Sequence, residues 1–256
     1  MPIPIPTPAK QYFKPFAARW LQFDLKTGGL LLAVFSLARF ALVLHANVTR
    51  SYQVVALVFV AMTALPFVLL TRAGRQKIGM VWPTHWRGVL LGGLLGMLSC
   101  AGLFYGASCC FGLTQGNPLV YISRTYQVPS VLSEDIRLTY FLIYAGTSML
   151  FSPIGEELFY RGLVHECFSA SIGNKRATML DSAAFAVVHL AHFGLVYSGQ
   201  GWHFLFWPSL LWIISLFVSC LLFSVGRARS GSIVGAMAAH ALFNVTMSYF
   251  IFYHIL

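Results

Sequence analysis

Apolar runs of about 15 to 25 residues follow one another along almost all of this chain, and that is the length a helix needs to cross the hydrocarbon core of a bilayer. Charge is scarce to match. Of 256 residues 58% are hydrophobic and 9% charged, with only seven Asp and Glu and a mean hydropathy of +0.74. A soluble domain carries about a quarter charged residues, so the solvent this chain meets is lipid. At about 20 residues per crossing the length allows seven or eight spans and little else. The expected fold is all-α, a polytopic transmembrane helix bundle that forms a single domain over 28–256. A Pro-rich and basic N-terminal arm, 1–27, precedes it, with alternating Pro2, Pro4, Pro6 and Pro8 and an aromatic, basic stretch suited to a headgroup surface.

The runs lie at about Leu30–Leu44, Val54–Leu70, Val89–Leu113, Leu138–Ile154, Ala177–Tyr197, Phe204–Val225 and Ile233–Ile255. Arg39 interrupts the first, where it either snorkels or sits within the bundle. Gly92, Gly93, Gly96, Gly102 and Gly106 in the third suit close helix packing. A net charge of +10 would suggest nucleic acid in a polar protein, but here the cations stand between apolar runs and mark topology, so no nucleic-acid partner is expected. Alternate loops hold twelve Lys and Arg against Arg50, Arg124 and Arg137 in the others, which favours a cytoplasmic N-terminus and an outward C-terminus in the cell (inner) membrane. Cys100, Cys109, Cys110, Cys167 and Cys220 form no C-x-x-C pair and read as small core hydrophobes.

Apolar character in the fourth run continues past Pro153 and Gly155 to Ile172, too far for one crossing at about 1.5 Å per residue. A break at the Pro-Ile-Gly step is therefore expected, with the helix restarting at Gly155 and carrying Glu156 and Glu157 in its first turn. Ionisable groups inside spans are costly, and each is a functional candidate. Glu157 and Arg161, at i and i+4, can form an ion pair that leaves Glu156 facing elsewhere. Phe185-x-x-x-His189, with His192 beyond it, and His240-x-x-x-Asn244 complete the set. A carboxylate and an imidazole can activate water, while an imidazole and an amide one turn apart can donate to an oxyanion.

The ordered motifs Glu156-Glu157-x-x-x-Arg161, Phe185-x-x-x-His189 and His240-x-x-x-Asn244 resemble those of the intramembrane proteases that include the CAAX prenyl endopeptidases and bacteriocin-processing enzymes. The resemblance covers the half from about 138 to 256. It implies a glutamic-type endopeptidase in which Glu156 and His189 activate water, His240 and Asn244 line the oxyanion site, and Glu157 and Arg161 act structurally. It also implies a membrane-associated protein or peptide substrate and an active-site cavity reached from the cytoplasmic side. Phe185 is a supporting residue in this reading, His192, on the face adjacent to His189, either supports it or points into a water-filled cavity, and His45, His85, His165, His203 and His254 are read as hydrogen-bonded core residues.

Other chemistries fit less well. The chain has no H-e-x-x-H zinc motif, and of Asp24, Asp135 and Asp181 only the last falls in a run. Gly106-Ala107-Ser108 is followed by Cys109, where a rhomboid-like serine site would have Gly. No cofactor is expected, although Glu156, His189 and His240 form a two-His, one-carboxylate set that could bind a divalent metal. The alternative from another class is a transporter or scaffold that uses the same buried cluster to bind protons or ions.

Overall fold

The computed structural model describes residues 11–129 and 131–256, so the Pro2–Pro8 arm and Lys10 lie outside the described residues. Helix α1, Leu25–Thr49, starts where the Asp24 side chain accepts the Thr27 N–H at 2.8 Å, and it stops at Arg50 in a left-handed conformation. That hydrogen bond holds the Asp24 carboxyl below the usual range. Helices α2, Gln53–Leu69, and α3, Arg72–Lys77, lead to α4, Trp86–Phe111. After α5, Pro118–Ser123, comes α6, Glu134–Glu156, which runs on as a π-helical segment, Glu157–Val164, into α7, His165–Ile172. Helix α8, Asn174–Val188, closes in a 3-10 turn, His189–Ala191. An antiparallel hairpin of β1, Leu195–Tyr197, and β2, Trp202–Phe204, pairs Val196 with His203. Helices α9, Phe206–Ser230, and α10, Ile233–Phe250, finish the bundle, with a π turn at Ile251–Ile255.

The fold is the expected all-α membrane bundle, with the hairpin as its only sheet among the described residues. Five helical stretches are long and apolar enough to cross a membrane, namely Leu25–Thr49, Trp86–Phe111, Glu134–Ile172, Phe206–Ser230 and Ile233–Ile255. Helix α2 is apolar but has 17 residues. Large apolar side chains point outward, Leu37 at 70% exposure and Leu90 at 75% among them, as lipid-facing residues must. Exposed Trp20, Trp82 and Trp86 sit at the end that carries the basic loops, and Trp202 and Trp207 sit at the other. That is the distribution of interfacial aromatic belts.

Two expectations about these helices need correction. Pro153 does not break its helix, because proline's fixed φ is helical and a single lost N–H bond is outweighed by the packing around buried Pro153 and Gly155. The irregularity comes later, where the hydrogen-bond register changes to π at Glu157. The fifth run does not cross as a helix to Tyr197. It stops at Val188, and its apolar remainder folds into the hairpin, whose turn needs the positive φ of Gly199 and Gly201. Burial also separates residues that hydropathy grouped together. Cys100, Cys167 and Cys220 are buried while Cys109 and Cys110 are exposed at the end of α4. Of the five histidines read as core residues only His165 is buried, and His45, His85, His203 and His254 are exposed on outer faces and ends.

Glycine decides how closely the central helices approach. A Cβ at Gly96 of α4 would stand 1.9 Å from the Ala239 carbonyl oxygen of α10, and one at Gly92 would stand 2.6 Å from that of Gly235. Gly102, on the same helix, has nothing within 4 Å. Gly96→Ala should therefore force α4 from α10 and cost about 1–3 kcal/mol. Gly102→Ala should be neutral. Thermal unfolding of the two variants in detergent checks this, and equal midpoints would refute the close approach.

Candidate active site

Beside a smaller apolar cluster that joins Val43, Ala46, Val55 and Ala191, two larger ones make up the core, one built around Phe159, Tyr160 and Phe185 and the other around Phe223, Phe243 and the α10 alanines. Where they meet, Phe185 lies 5.7 Å from the His240 ring and Phe223 stacks on it at 5.2 Å. The polar candidates fall at this seam.

Glu156, the last residue of α6, is fully buried. Its Oε2 accepts the Ser152 hydroxyl at 2.6 Å and lies 3.8 Å from His240 Nε2. Glu157 points away from it, to Arg161 Nη1 at 3.2 Å, so the i, i+4 pair forms even though the segment is π-helical. The same Glu157 oxygen receives His240 Nδ1 at 2.9 Å. A carboxylate only accepts, so Nδ1 carries the proton and the Nε2 edge of His240 is turned toward Glu156. The Glu157 and Arg161 pair is thus also the mount of His240. Arg161 lies over the Phe185 ring at 4.6 Å, and it approaches Asp181, itself bonded to His165 Nδ1 at 2.7 Å, to 4.0 Å. A buried polar ladder therefore leads from the seam to the basic end of the bundle.

His189 begins the 3-10 turn after α8. Its Nδ1 donates to the Phe185 carbonyl at 2.6 Å, which leaves the Nε2 lone pair free to accept. The Phe185-x-x-x-His189 spacing thus serves both to place a ring beside the site and to supply the carbonyl that fixes the tautomer. Trp212 Nε1 holds the His189 carbonyl at 3.1 Å.

The group facing Nε2 is one that the motifs do not contain. Arg39 of α1 is 2% exposed, and its Nη2 lies 2.9 Å from His189 Nε2, 2.8 Å from Glu156 Oε1 and 3.3 Å from His192 Nε2. Of the two readings for Arg39, the structure takes the one within the bundle. The contact with Glu156 is close but not aligned, so Oε1 receives no true hydrogen bond and the pair is ionic. A lone cation inside an apolar run was the one signal for Arg39.

Asn244, one turn after His240, donates its Nδ2 to the Ser148 carbonyl at 3.0 Å, which leaves its second amide proton free. Glu156 stands just behind a cavity of about 520 Å³ whose walls include Arg39, Ser152, Phe185, His189, His192, His240 and Asn244. The walls are otherwise largely apolar and aromatic, with Tyr52, Phe59, Tyr126, Tyr144, Phe151 and Phe243. The cavity reaches exposed Arg50, Ser51 and Gln53, between α1 and α2, and Gln127, which donates to the Arg50 carbonyl at 3.1 Å. This is the end opposite the basic loops. Cytoplasmic access and a cytoplasmic N-terminus, both expected, therefore point to opposite ends of the molecule.

A divalent ion does not fit the donors as arranged. Among the described residues no three His, Cys, Asp or Glu side chains form a metal-ligand group, and the Arg39 guanidinium stands between Glu156 and His189.

The family described as Rce1-like, type II CAAX prenyl endopeptidase, matches residues 137–246, a stretch that holds every motif residue from Glu156 to Asn244 but not Arg39. No curated protein and no solved structure matches the chain significantly. Residues 137–246 of this chain are thus similar to the Rce1-like CAAX prenyl endopeptidases.

Proposed function

We propose that this membrane protein is a glutamic-type intramembrane endopeptidase that cuts a membrane-associated protein or peptide with water activated by Glu156 and His189. The observation that carries the reading is that His189 and His240 line one largely apolar cavity inside the bundle and that Glu156, just behind its wall, lies 3.8 Å from His240 and shares the Arg39 guanidinium with His189. Water enters between the Glu156 carboxylate and the Nε2 lone pair of His189, loses a proton to Glu156, and its oxygen bonds to the scissile carbonyl carbon. The resulting oxyanion lies beside His240 and takes a hydrogen bond from the free Asn244 amide proton. Glu156 then passes its proton to the amide nitrogen and the C–N bond breaks to give a carboxylic acid and an amine; the acid's proton passes to the amine, and a carboxylate and an ammonium group leave. No metal takes part in these steps.

The test uses purified protein in detergent and a farnesylated peptide ending in a CAAX sequence. Cleavage by the wild type that His189→Ala lowers by about a hundredfold or more supports the reading. Equal rates would refute it. In cells, the substrate is the membrane protein whose C-terminus becomes longer when this chain is removed.

The loop charges support an N-terminus in the cytoplasm, so that the cavity mouth faces outward. In a background with Cys109 and Cys110, exposed at the end of α4, replaced by Ser, Gln53→Cys on the rim should then react with an impermeant maleimide added to intact cells. Labelling only after permeabilisation would invert the orientation and restore cytoplasmic access.

A further inference from the structure

Arg39 is the only Lys, Arg, Asp or Glu between Lys26 and Arg50, and it stands midway along α1, where burying a guanidinium is costly. A purely structural Arg would grip its carboxylate through two parallel N–H bonds. Arg39 does not. Its Nη2 is shared among Glu156 Oε1, His189 Nε2 and His192 Nε2, its Nη1 lies 3.4 Å from His189 Nδ1, its Nε has no acceptor, and Glu156 Oε1 receives no aligned donor. The Phe59 ring supports the guanidinium at 5.6 Å. Hydrogen-bonding capacity left unused in a buried cluster calls for an explanation. Here it falls on Arg39 itself and on Glu156, the carboxylate proposed to take a proton from water, while the same guanidinium caps the Nε2 of His189, its proposed partner.

We infer that Arg39 is a positioning residue of the hydrolytic centre. It aims the Glu156 carboxylate and the His189 Nε2 lone pair at one point, and it holds that point until water and substrate displace its Nη2 toward His192. The inference rests on the hydrolase reading for its catalytic meaning, but the capping of His189 does not depend on it. Because α1 lies outside the matched stretch, the centre is completed by a helix that carries none of the three motifs.

Two measurements on the full chain in detergent test this. The first is the rate of diethylpyrocarbonate modification at His189, followed by mass spectrometry. Nε2 is capped at 2.9 Å in the wild type, so Arg39→Ala should speed modification about tenfold or more, whereas Glu156→Gln, which keeps Arg39, should not. Equal rates in wild type and Arg39→Ala overturn the inference. The second uses the farnesylated peptide. Arg39→Ala should lower kcat about a hundredfold with KM within about threefold, the cost of misplacing reacting groups. Arg39→Lys and added guanidinium chloride at low concentration should each return part of that loss, which a purely structural defect would not permit. A folded Arg39→Ala that cleaves at the wild-type rate, or a kcat that neither treatment raises, also overturns it. Should the wild type cleave nothing, the hydrolase reading fails while the modification rates still decide whether Arg39 caps His189.

Discussion

Glu156→Gln should lower kcat on the farnesylated peptide by about a thousandfold or more, because an amide of nearly the same volume cannot take the proton that water must lose. Loss of activity alone would not separate chemistry from folding. Glu156 is also the counter-ion of Arg39, at 2.8 Å, and removing one partner of a buried pair costs about 3–5 kcal/mol. Glu156→Asp separates the two effects. It keeps the negative charge beside Arg39 but draws the carboxylate back by about one C–C bond, enough misplacement to slow the reaction about a hundredfold. The expected pattern is an inactive, destabilised Gln variant and a slow, near-normally stable Asp variant, read from initial rates and thermal midpoints side by side. A Gln variant that retains a tenth or more of wild-type activity would remove Glu156 from the chemistry.

The motifs made much of this centre legible because the information in them is local. Glu157 and Arg161 are paired through helical spacing, and His189 takes its tautomer from a carbonyl four residues back, so both follow from short stretches of chain. Arg39 and His189 are 150 residues apart, and no spacing rule names the partner of a single cation in an apolar run. Hydropathy likewise ran α8 and β1 together, since Leu195, Val196 and Tyr197 are as apolar as the helix before them; only the glycines that follow betray the hairpin. Nor does hydropathy distinguish lipid from core. Cys100 and Cys110 lie in one apolar helix, yet the first is buried and the second exposed.

The π register at Glu157–Val164 belongs with these non-local outcomes. In a π-helix each residue turns the chain by less than in an α-helix, which redistributes side chains around the axis without ending the helix. Beyond this point Arg161 faces Phe185 and Asp181 while Gly162 packs against Ile78. Glu156 and Glu157, adjacent in sequence, serve different partners across this change of register, the first Arg39 and the second His240 and Arg161.

That division makes the Glu157 and Arg161 pair the place where stability and activity should come apart. Glu157→Leu leaves Arg161, 1% exposed, with Asp181 at 4.0 Å and aromatic faces for company, and Arg161→Met leaves two buried carboxylates without their cation. Each single variant should lose about 3–5 kcal/mol, the cost of an uncompensated buried charge. The double variant, Glu157→Leu with Arg161→Met, removes both charges and fills the space with apolar atoms, so most of the loss should return as a positive coupling between the two sites. Activity should not return with it. His240 Nδ1 would still lack the oxygen that it holds at 2.9 Å, its ring would no longer be fixed with Nε2 toward Glu156, and cleavage should stay about a hundredfold down. Thermal midpoints and rates on all four proteins check both halves. A double variant as fragile as either single one would deny that the charges compensate each other, and one that cleaves like the wild type would deny that Glu157 sets the orientation of His240.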